Sequence, residues 1–107
     1  MNQFKVRRIG LTQGVSQYAR DQKKFLDFIF ECLDRHKRQD FGNISEDDKQ
    51  SNLEAIKCDA RVLSSYDIPN EFNISSDNRI WIITNANRKN PLCPDDGATT
   101  VLFPCEY

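Results

Sequence analysis

The sequence is poor in residues that break regular structure, and it has almost no net charge. Its 107 residues include only four Gly and four Pro, and 15 basic residues nearly balance 16 acidic ones for a formal net charge of −1. A balance this close to neutral gives no overall field that would draw the chain to nucleic acid or to an anionic membrane. With 38% hydrophobic residues and seven Phe, the composition argues against a disordered chain. The length predicts a single domain over residues 1–107.

Long hydrophobic runs are also missing. No apolar stretch approaches the roughly 20 residues that span a bilayer. The opening segment MNQFKVRRIGLTQG has neither a sustained apolar core nor a small-residue cleavage site of the secretory kind. We therefore expect no membrane partner, and a cytoplasmic location is the default.

The four cysteines include no C-x-x-C pair. Their wide spacing favours free thiols in a reducing compartment, and Cys32 and Cys58 fall within helical patterns as small hydrophobic residues. Cys93 and Cys105 flank the last predicted strand, so a redox-dependent bond between these two stays open.

Two segments have the spacing of amphipathic helices. Residues 21–38 place apolar side chains at i, i+3, i+4 and i+7 and end in a basic turn, which suits the helix dipole. Residues 45–59 begin with a serine cap and three acids but have a thinner apolar stripe, so we expect this helix to be more peripheral. A short helix over 13–19, with Thr12 as its N-cap, precedes both.

Strand patterns occupy the C-terminal half. Segments 79–85 and 98–103 contain apolar runs rich in β-branched and aromatic residues, and residues 61–66 form a third strand beside them. Residues 4–9 alternate as a short edge strand does. Helices followed by strands predict an α+β fold, with two main helices packed on one face of a three- to four-stranded antiparallel sheet. The expected core consists of Phe25, Phe28, Ile29, Leu33, Leu53, Ile56, Ile80, Ile82, Val101 and Phe103.

No constellation of residues specifies a reaction. His36 lies one helical turn after Cys32, a spacing that two zinc ligands can share, but a structural zinc site needs four ligands and no second pair is spaced for it. A Cys–His nucleophile needs an accessible thiolate, whereas Cys32 falls on the buried side of its helix. We therefore predict no catalytic residue, no metal and no cofactor, and a packing or capping role for His36.

Clusters of basic residues suggest one kind of binding. Arg7 and Arg8 form one cluster, and Arg35, Lys37 and Arg38 form another. If these cations converge on one face, they would contact phosphate groups of DNA or RNA. Acids flank the second cluster, which favours ordinary surface charge over nucleic-acid binding.

Acidic and loop residues suggest binding to a protein instead. Glu46, Asp47 and Asp48 form an exposed helix start, and a long polar loop over 85–97 joins the last two strands. Loops on a rigid scaffold are frequent recognition elements. The acids suit an Arg-rich groove, because carboxylates fit the same guanidinium forks that hold phosphate. The predicted partner-binding residues are Glu46, Asp47, Asp48, Asn87, Arg88 and Lys89, and the candidate aromatic anchors are Tyr18, Phe41, Trp81 and Tyr107.

Several segments together resemble a known family. RHKRQDFGNISEDDKQSN, RVLSSY, RIWIITNANR and ATTVLFPCEY, with LTQG at 11–14 as a looser match, are similar to small proteins common in bacterial plasmids, phages and integrative elements. The resemblance covers about residues 35–107. Here Phe41 stands where the family has Trp, Asn87 stands where it has Asp, and the segment 89–97 is inserted.

The resemblance implies an origin in a mobile element. Some family members carry the label of a type I restriction subunit, which does not fit this chain, because it lacks cofactor and target-base motifs. Small mobile-element proteins without active sites often bind and block host machinery, including CRISPR and restriction complexes. We therefore expect a protein-interaction module that binds a host protein or nucleoprotein complex. The alternative is a nucleic-acid-binding accessory protein of the element.

Overall fold

The computed structural model describes residues 7–57, 60–72, 74, 78–85 and 98–107. Within these residues the chain forms three α-helices and four strands, and the α+β class predicted from the sequence is confirmed. In chain order the elements are β1 (Arg7–Leu11), α1 (Gln13–Asp21), α2 (Lys23–Lys37), α3 (Glu46–Lys57), β2 (Val62–Asp67), β3 (Arg79–Thr84), β4 (Ala98–Leu102) and a 3-10 turn (Pro104–Glu106).

The four strands form one sheet in the order β1-β4-β3-β2. The last three pair as the antiparallel meander that the sequence predicts. β1, however, runs parallel to β4, with Leu11 beside Val101 and an irregularity between Arg7 and Ile9. The expectation of a purely antiparallel sheet is therefore wrong. Strand periodicity identifies a strand but carries no information about the direction of its distant neighbour.

The core lies between this sheet and the helices α1 and α2. Phe25 is fully buried and packs edge-on against Phe72, at 5.4 Å between ring centroids, and nearly parallel to Phe103 at 6.5 Å. Ile80 and Ile82 of the central strand β3 are also fully buried against these helices, as predicted. The full cluster comprises Val15, Ala19, Phe25, Ile29, Cys32, Leu33, Tyr66, Ile68, Ile80, Ile82, Val101 and Phe103.

Three residues of the predicted core lie closer to the surface. Leu53 is 38% exposed, and Phe28 and Ile56 are only partly buried. Leu53 and Ile56 belong to α3, whose only fully buried side chain is that of Asn52. The thin apolar stripe of this segment therefore belongs to a helix at the margin of the fold.

The α3 helix contacts the sheet at the outer edge of β2. The Asn52 side-chain amide donates to the carbonyl oxygen of Leu63 (2.6 Å), and its oxygen accepts from the Leu63 N–H (3.2 Å). Beside it, the Ser65 N–H donates to the carbonyl of Phe41 and its carbonyl accepts from the Asn43 N–H. These contacts satisfy backbone groups that an edge strand would otherwise expose to other chains.

A tight reversal links α2 to this edge. Gln39 has φ 68° and Gly42 has φ 74°, both in the left-handed region. A Cβ on Gly42 would collide with the carbonyl oxygen of Ser65, so the close approach of the two backbones requires glycine. The reversal brings the C-terminal end of α2 next to β2.

No helix in the described part of the chain is both long enough and apolar enough to cross a membrane.

Candidate functional site

A buried polar network connects α2 to three strands. His36 is fully buried, with Nδ1 2.5 Å from the Ser64 hydroxyl on β2 and Nε2 2.9 Å from the Thr84 hydroxyl on β3. The Thr84 hydroxyl lies 2.8 Å from that of Thr99 on β4. Burial lowers the pKa of His36 to about 4, so the ring is neutral at ordinary pH. The network fixes the helix over the sheet and presents no group to solvent.

The thiol of Cys32 is equally inaccessible. Burial raises its pKa to about 12, which leaves no useful thiolate for nucleophilic chemistry or metal binding. Among the described residues, no three His, Cys, Asp or Glu side chains form a group that could hold a metal ion. Cys105 is exposed, whereas Cys58 and Cys93 lie outside the described residues, so the expectation of free thiols at these two positions and the open question of a Cys93–Cys105 bond stay untested.

Two of the five arginines and lysines predicted to contact nucleic acid are paired within the protein. Arg35 donates to the Asp40 carboxylate at 2.8 Å and its guanidinium lies 4.8 Å from the centre of the Tyr66 ring. The hydrogen bond from Arg35 lowers the pKa of Asp40 despite partial burial. Arg38 forms an ion pair with Asp34 at 2.8 Å.

The other predicted phosphate contacts are Lys37, Arg7 and Arg8. Lys37 is exposed at the end of α2, whereas the backbone of Arg7 and Arg8 lies in β1 at the far edge of the sheet from β2. The side chains of Arg7 and Arg8 lie outside the described part. The backbone of Arg7 and Arg8 is therefore separated from the end of α2 by the width of the sheet.

The carboxylate of Glu106 joins the C-terminal turn to the start of α1. It accepts hydrogen bonds from the Thr12 hydroxyl (2.6 Å), the Phe103 N–H (3.0 Å) and the Gly14 N–H (3.2 Å). Desolvation raises the pKa of Glu106, but the three hydrogen bonds together outweigh it and hold the pKa below its usual value. A charged carboxylate at this helix N-terminus also complements the helix dipole.

Segments on which the predicted resemblance rests meet in these contacts. LTQG at 11–14 and PCEY at 104–107 meet through Glu106. The other segments supply the residues of the buried network and of the reversal after α2. These residues are Arg35, His36, Asp40, Gly42, Ser64, Tyr66, Thr84 and Thr99. These side chains therefore serve the scaffold, and a binding site has to be sought among the exposed side chains.

The predicted acidic turn is one such exposed site. Glu46, Asp47 and Asp48 all point to solvent from the first turn of α3. The Ser45 hydroxyl caps the helix by accepting from the Asp48 N–H at 3.1 Å, and Lys49 lies 3.4 Å from Glu46. The other predicted partner-binding residues, Asn87, Arg88 and Lys89, lie outside the described residues.

The four predicted aromatic anchors differ in exposure. Phe41 is 4% exposed and cannot act as an anchor, because its backbone pairs with β2 and its ring is enclosed. Tyr18 and Trp81 are half-buried, the latter packing edge-on against Tyr107 at 5.7 Å. Tyr107 is 68% exposed, with the Arg61 guanidinium 5.0 Å from its ring centre. Tyr107 is thus the most accessible of the four.

Phe30 is an exposed aromatic residue that is absent from the anchors predicted from the sequence. This residue is 57% exposed on α2, between the exposed acids Asp27 and Glu31. A signal was present, because Phe30 falls outside the apolar stripe of its helix and among charged residues. Phe25 and Phe28 of the same helix do fit the apolar stripe, and for this reason only they were predicted to belong to the core.

No family model, no curated protein and no solved structure matches the chain. The resemblance to mobile-element proteins thus stays a prediction.

Proposed function

We propose that this chain is a non-catalytic protein-binding module of a phage, plasmid or integrative element, and that it inhibits a host CRISPR or restriction complex. The binding role is supported by a difference in which kinds of side chain are buried and which are exposed. The chemically capable groups Cys32 and His36 are buried and engaged in packing, while acids and aromatic rings occupy the exposed surface. Exposed aromatic residues and unpaired charges are the usual components of recognition surfaces.

The acidic turn is the proposed contact. Glu46, Asp47 and Asp48 belong to a helix whose position is fixed by the two hydrogen bonds of Asn52 to β2. A fixed element loses little conformational entropy on binding. Three carboxylates on such an element can occupy guanidinium forks that otherwise hold phosphate, so the turn competes with nucleic acid for an Arg-rich groove.

The kind of host complex is inferred from the predicted mobile-element origin and from the proposed competition between the acidic turn and nucleic acid. A mobile element gains from blocking a complex that cuts or excludes its DNA. Such a complex must hold nucleic acid through Arg and Lys side chains, which are the groups that carboxylates suit.

Affinity capture tests this proposal. The tagged chain is incubated with host lysate and compared with the triple variant Glu46→Gln, Asp47→Asn, Asp48→Asn. The matched control, Asp21→Asn, Glu54→Gln, Glu71→Gln, removes the same charge from exposed positions that belong to neither proposed contact surface. We expect a stoichiometric partner that the first variant loses, and expression of the chain should protect a phage or plasmid from host immunity. Absence of a partner together with unchanged immunity would refute the proposal.

Nucleic-acid binding is the rival outcome. The pairing of Arg35 with Asp40 and of Arg38 with Asp34 weighs against it, because both cations are already neutralised. A gel-shift series with single- and double-stranded oligonucleotides at low salt tests it directly. A shift that weakens steeply with added salt would favour the rival, since phosphate contacts release counterions.

A further inference from the structure

Phe30 is a large apolar side chain on the polar face of α2. It is 57% exposed, more than any other Phe, Leu or Ile in the described residues. Phe25 and Ile29 of the same helix are fully buried in the core, whereas the exposed ring of Phe30 contributes little to core packing. An isolated exposed apolar residue is common, and the charges around this one are what distinguish it.

Two carboxylates flank the ring. Asp27 lies three residues before Phe30 and Glu31 directly follows it, and both are exposed. Neither forms an ion pair with another residue in the described part of the chain. Asp27 and Glu31 are also four positions apart, a spacing at which like charges destabilise a helix.

A third acid lies one turn further on. Asp34 is four residues after Phe30 and therefore on the same side of the helix. Its carboxylate is engaged by Arg38 at 2.8 Å, which shows that this surface already holds one guanidinium. Asp27 and Glu31 have no such partner among the described residues, so their charges remain available.

We propose that Phe30, Asp27 and Glu31 form a docking surface for an arginine side chain of the partner protein. The inference rests on the proposed protein-binding function and names the partner's chemistry at a surface separate from the acidic turn. A guanidinium is flat and carries donors along its edge. It can therefore lie over the Phe30 ring while donating to the two carboxylates, which combines cation–π attraction with charge-assisted hydrogen bonds. The two carboxylates favour a positively charged partner group. An uncharged apolar group would bury both acids without a counter-charge, which is unfavourable.

Arginine suits this surface better than lysine does. An ammonium group is compact and strongly hydrated, and it cannot stack its plane on a ring. A second copy of this chain is a poorer occupant, because an antiparallel pairing of two α2 helices about Phe30 would oppose the basic ends of both helices, Lys23 with Lys37.

The test uses the purified full chain and two labelled peptides, (Arg-Gly)4 and (Lys-Gly)4, in fluorescence anisotropy titrations at physiological salt. We expect the arginine peptide to bind about three-fold more tightly than the lysine peptide. Phe30→Ala should weaken arginine-peptide binding by about three- to five-fold and abolish the preference over lysine. Alanine is a strong helix former at an exposed position, so this variant should fold.

Charge variants provide the matched comparison. Asp27→Asn with Glu31→Gln should weaken binding of the arginine peptide at least as much as Phe30→Ala does. Asp21→Asn with Glu54→Gln removes the same charge from exposed positions outside both proposed surfaces and should leave binding within two-fold of wild type. Equal binding of the two peptides, wild-type binding by Phe30→Ala, or an equal loss in both charge variants would each overturn the proposal.

The peptide assay tests the Phe30 surface and the lysate capture tests the proposed function, so failure of one proposal can be told from failure of the other. Capture of a partner that Phe30→Ala retains, but that the acidic-turn variant loses, would overturn the Phe30 surface and leave the proposed function intact. If no partner is captured, the proposed function is refuted. The anisotropy titration with purified protein still shows whether Phe30 recognises arginine.

Discussion

At the scale of single residues, a few polar side chains join segments that are far apart in the chain. His36 contacts Ser64, 28 residues away, and Thr84, 48 residues away. The helical spacing around His36 predicts that it is packed, and this is confirmed. Its hydroxyl partners could not be predicted, because no local pattern tells which strand residues face a given helix position.

The buried histidine should make stability depend on pH. Its pKa is about 4 in the folded protein and about 6.5 in an unfolded chain. Between these values the unfolded state binds more protons, so stability is complete above pH 6.5 and is lost as pH falls toward 4. We expect unfolding free energy, measured by urea titration, to fall by about 2 kcal/mol between pH 7 and pH 5.

The variant His36→Gln separates this effect from other titrations. It should be less stable at pH 7, since a hydrogen-bonded ring is removed, but its stability should stay nearly flat between pH 7 and pH 5. Asp40 and Glu106, whose pKa values are lowered, lose their contributions only at lower pH. A wild-type protein with no decline in this window would contradict the buried, neutral histidine.

Glu106 and Gly14 should be coupled energetically. A Cβ on Gly14 would lie 2.8 Å from Glu106 Oε2, so Gly14→Ala displaces the carboxylate that caps α1. Glu106→Ala alone should cost about 1 kcal/mol, the usual effect of losing a helix cap. In that background Gly14→Ala should become stabilising by up to about 1 kcal/mol, because alanine favours a helix. Thermal unfolding of the double-mutant cycle measures this change of sign, and strict additivity would rule the coupling out.

At the scale of elements, the helices and the meander were predictable from periodicity. The predicted helix 21–38 appears as Lys23–Lys37, and the predicted strands 61–66 and 79–85 appear as Val62–Asp67 and Arg79–Thr84. The parallel edge strand was not predictable, because the pairing of β1 with β4 depends on the path of the whole intervening chain. The protection of the opposite edge was also missed, since Asn52 looks like an ordinary polar residue of a surface helix.

Asn52 should matter more than its place in a peripheral helix suggests. Asn52→Leu leaves the N–H and C=O of Leu63 without their partners. We expect a loss of about 2 kcal/mol in urea unfolding, together with increased aggregation from the opened edge. Gln50→Leu, at an exposed position of the same helix, is the control and should stay within about 0.5 kcal/mol of wild type. Similar effects in both variants would mean that the edge contact has no special role.

At the scale of the whole molecule, stability depends on one core between the sheet and two helices. Ile82 lies at its centre on β3 and is fully buried. Ile82→Ala should cost about 2–5 kcal/mol, because it leaves a cavity among residues that cannot fully collapse into it. Urea unfolding against the exposed control Leu53→Ala measures this cost, and equal losses in the two variants would contradict the described core.

Across the whole molecule, the residues that hold the fold together differ from the exposed residues proposed for binding. Side chains and backbone groups such as those of Arg35, His36, Tyr66, Thr84 and Glu106 contribute contacts that hold the fold together. Function is therefore expected at exposed groups such as the acidic turn and Phe30. Sequence patterning indicated the acidic turn through its charge run, whereas Phe30 became evident only when the burial of its neighbours was known.

The most direct test of a protein-binding role is capture from host lysate with and without nuclease treatment, quantified by the stoichiometry of the retained partner. We expect a partner near one-to-one that survives nuclease treatment and is lost when Glu46, Asp47 and Asp48 are neutralised. A partner that disappears with nuclease, or one that the neutralised variant retains in full, would contradict this expectation.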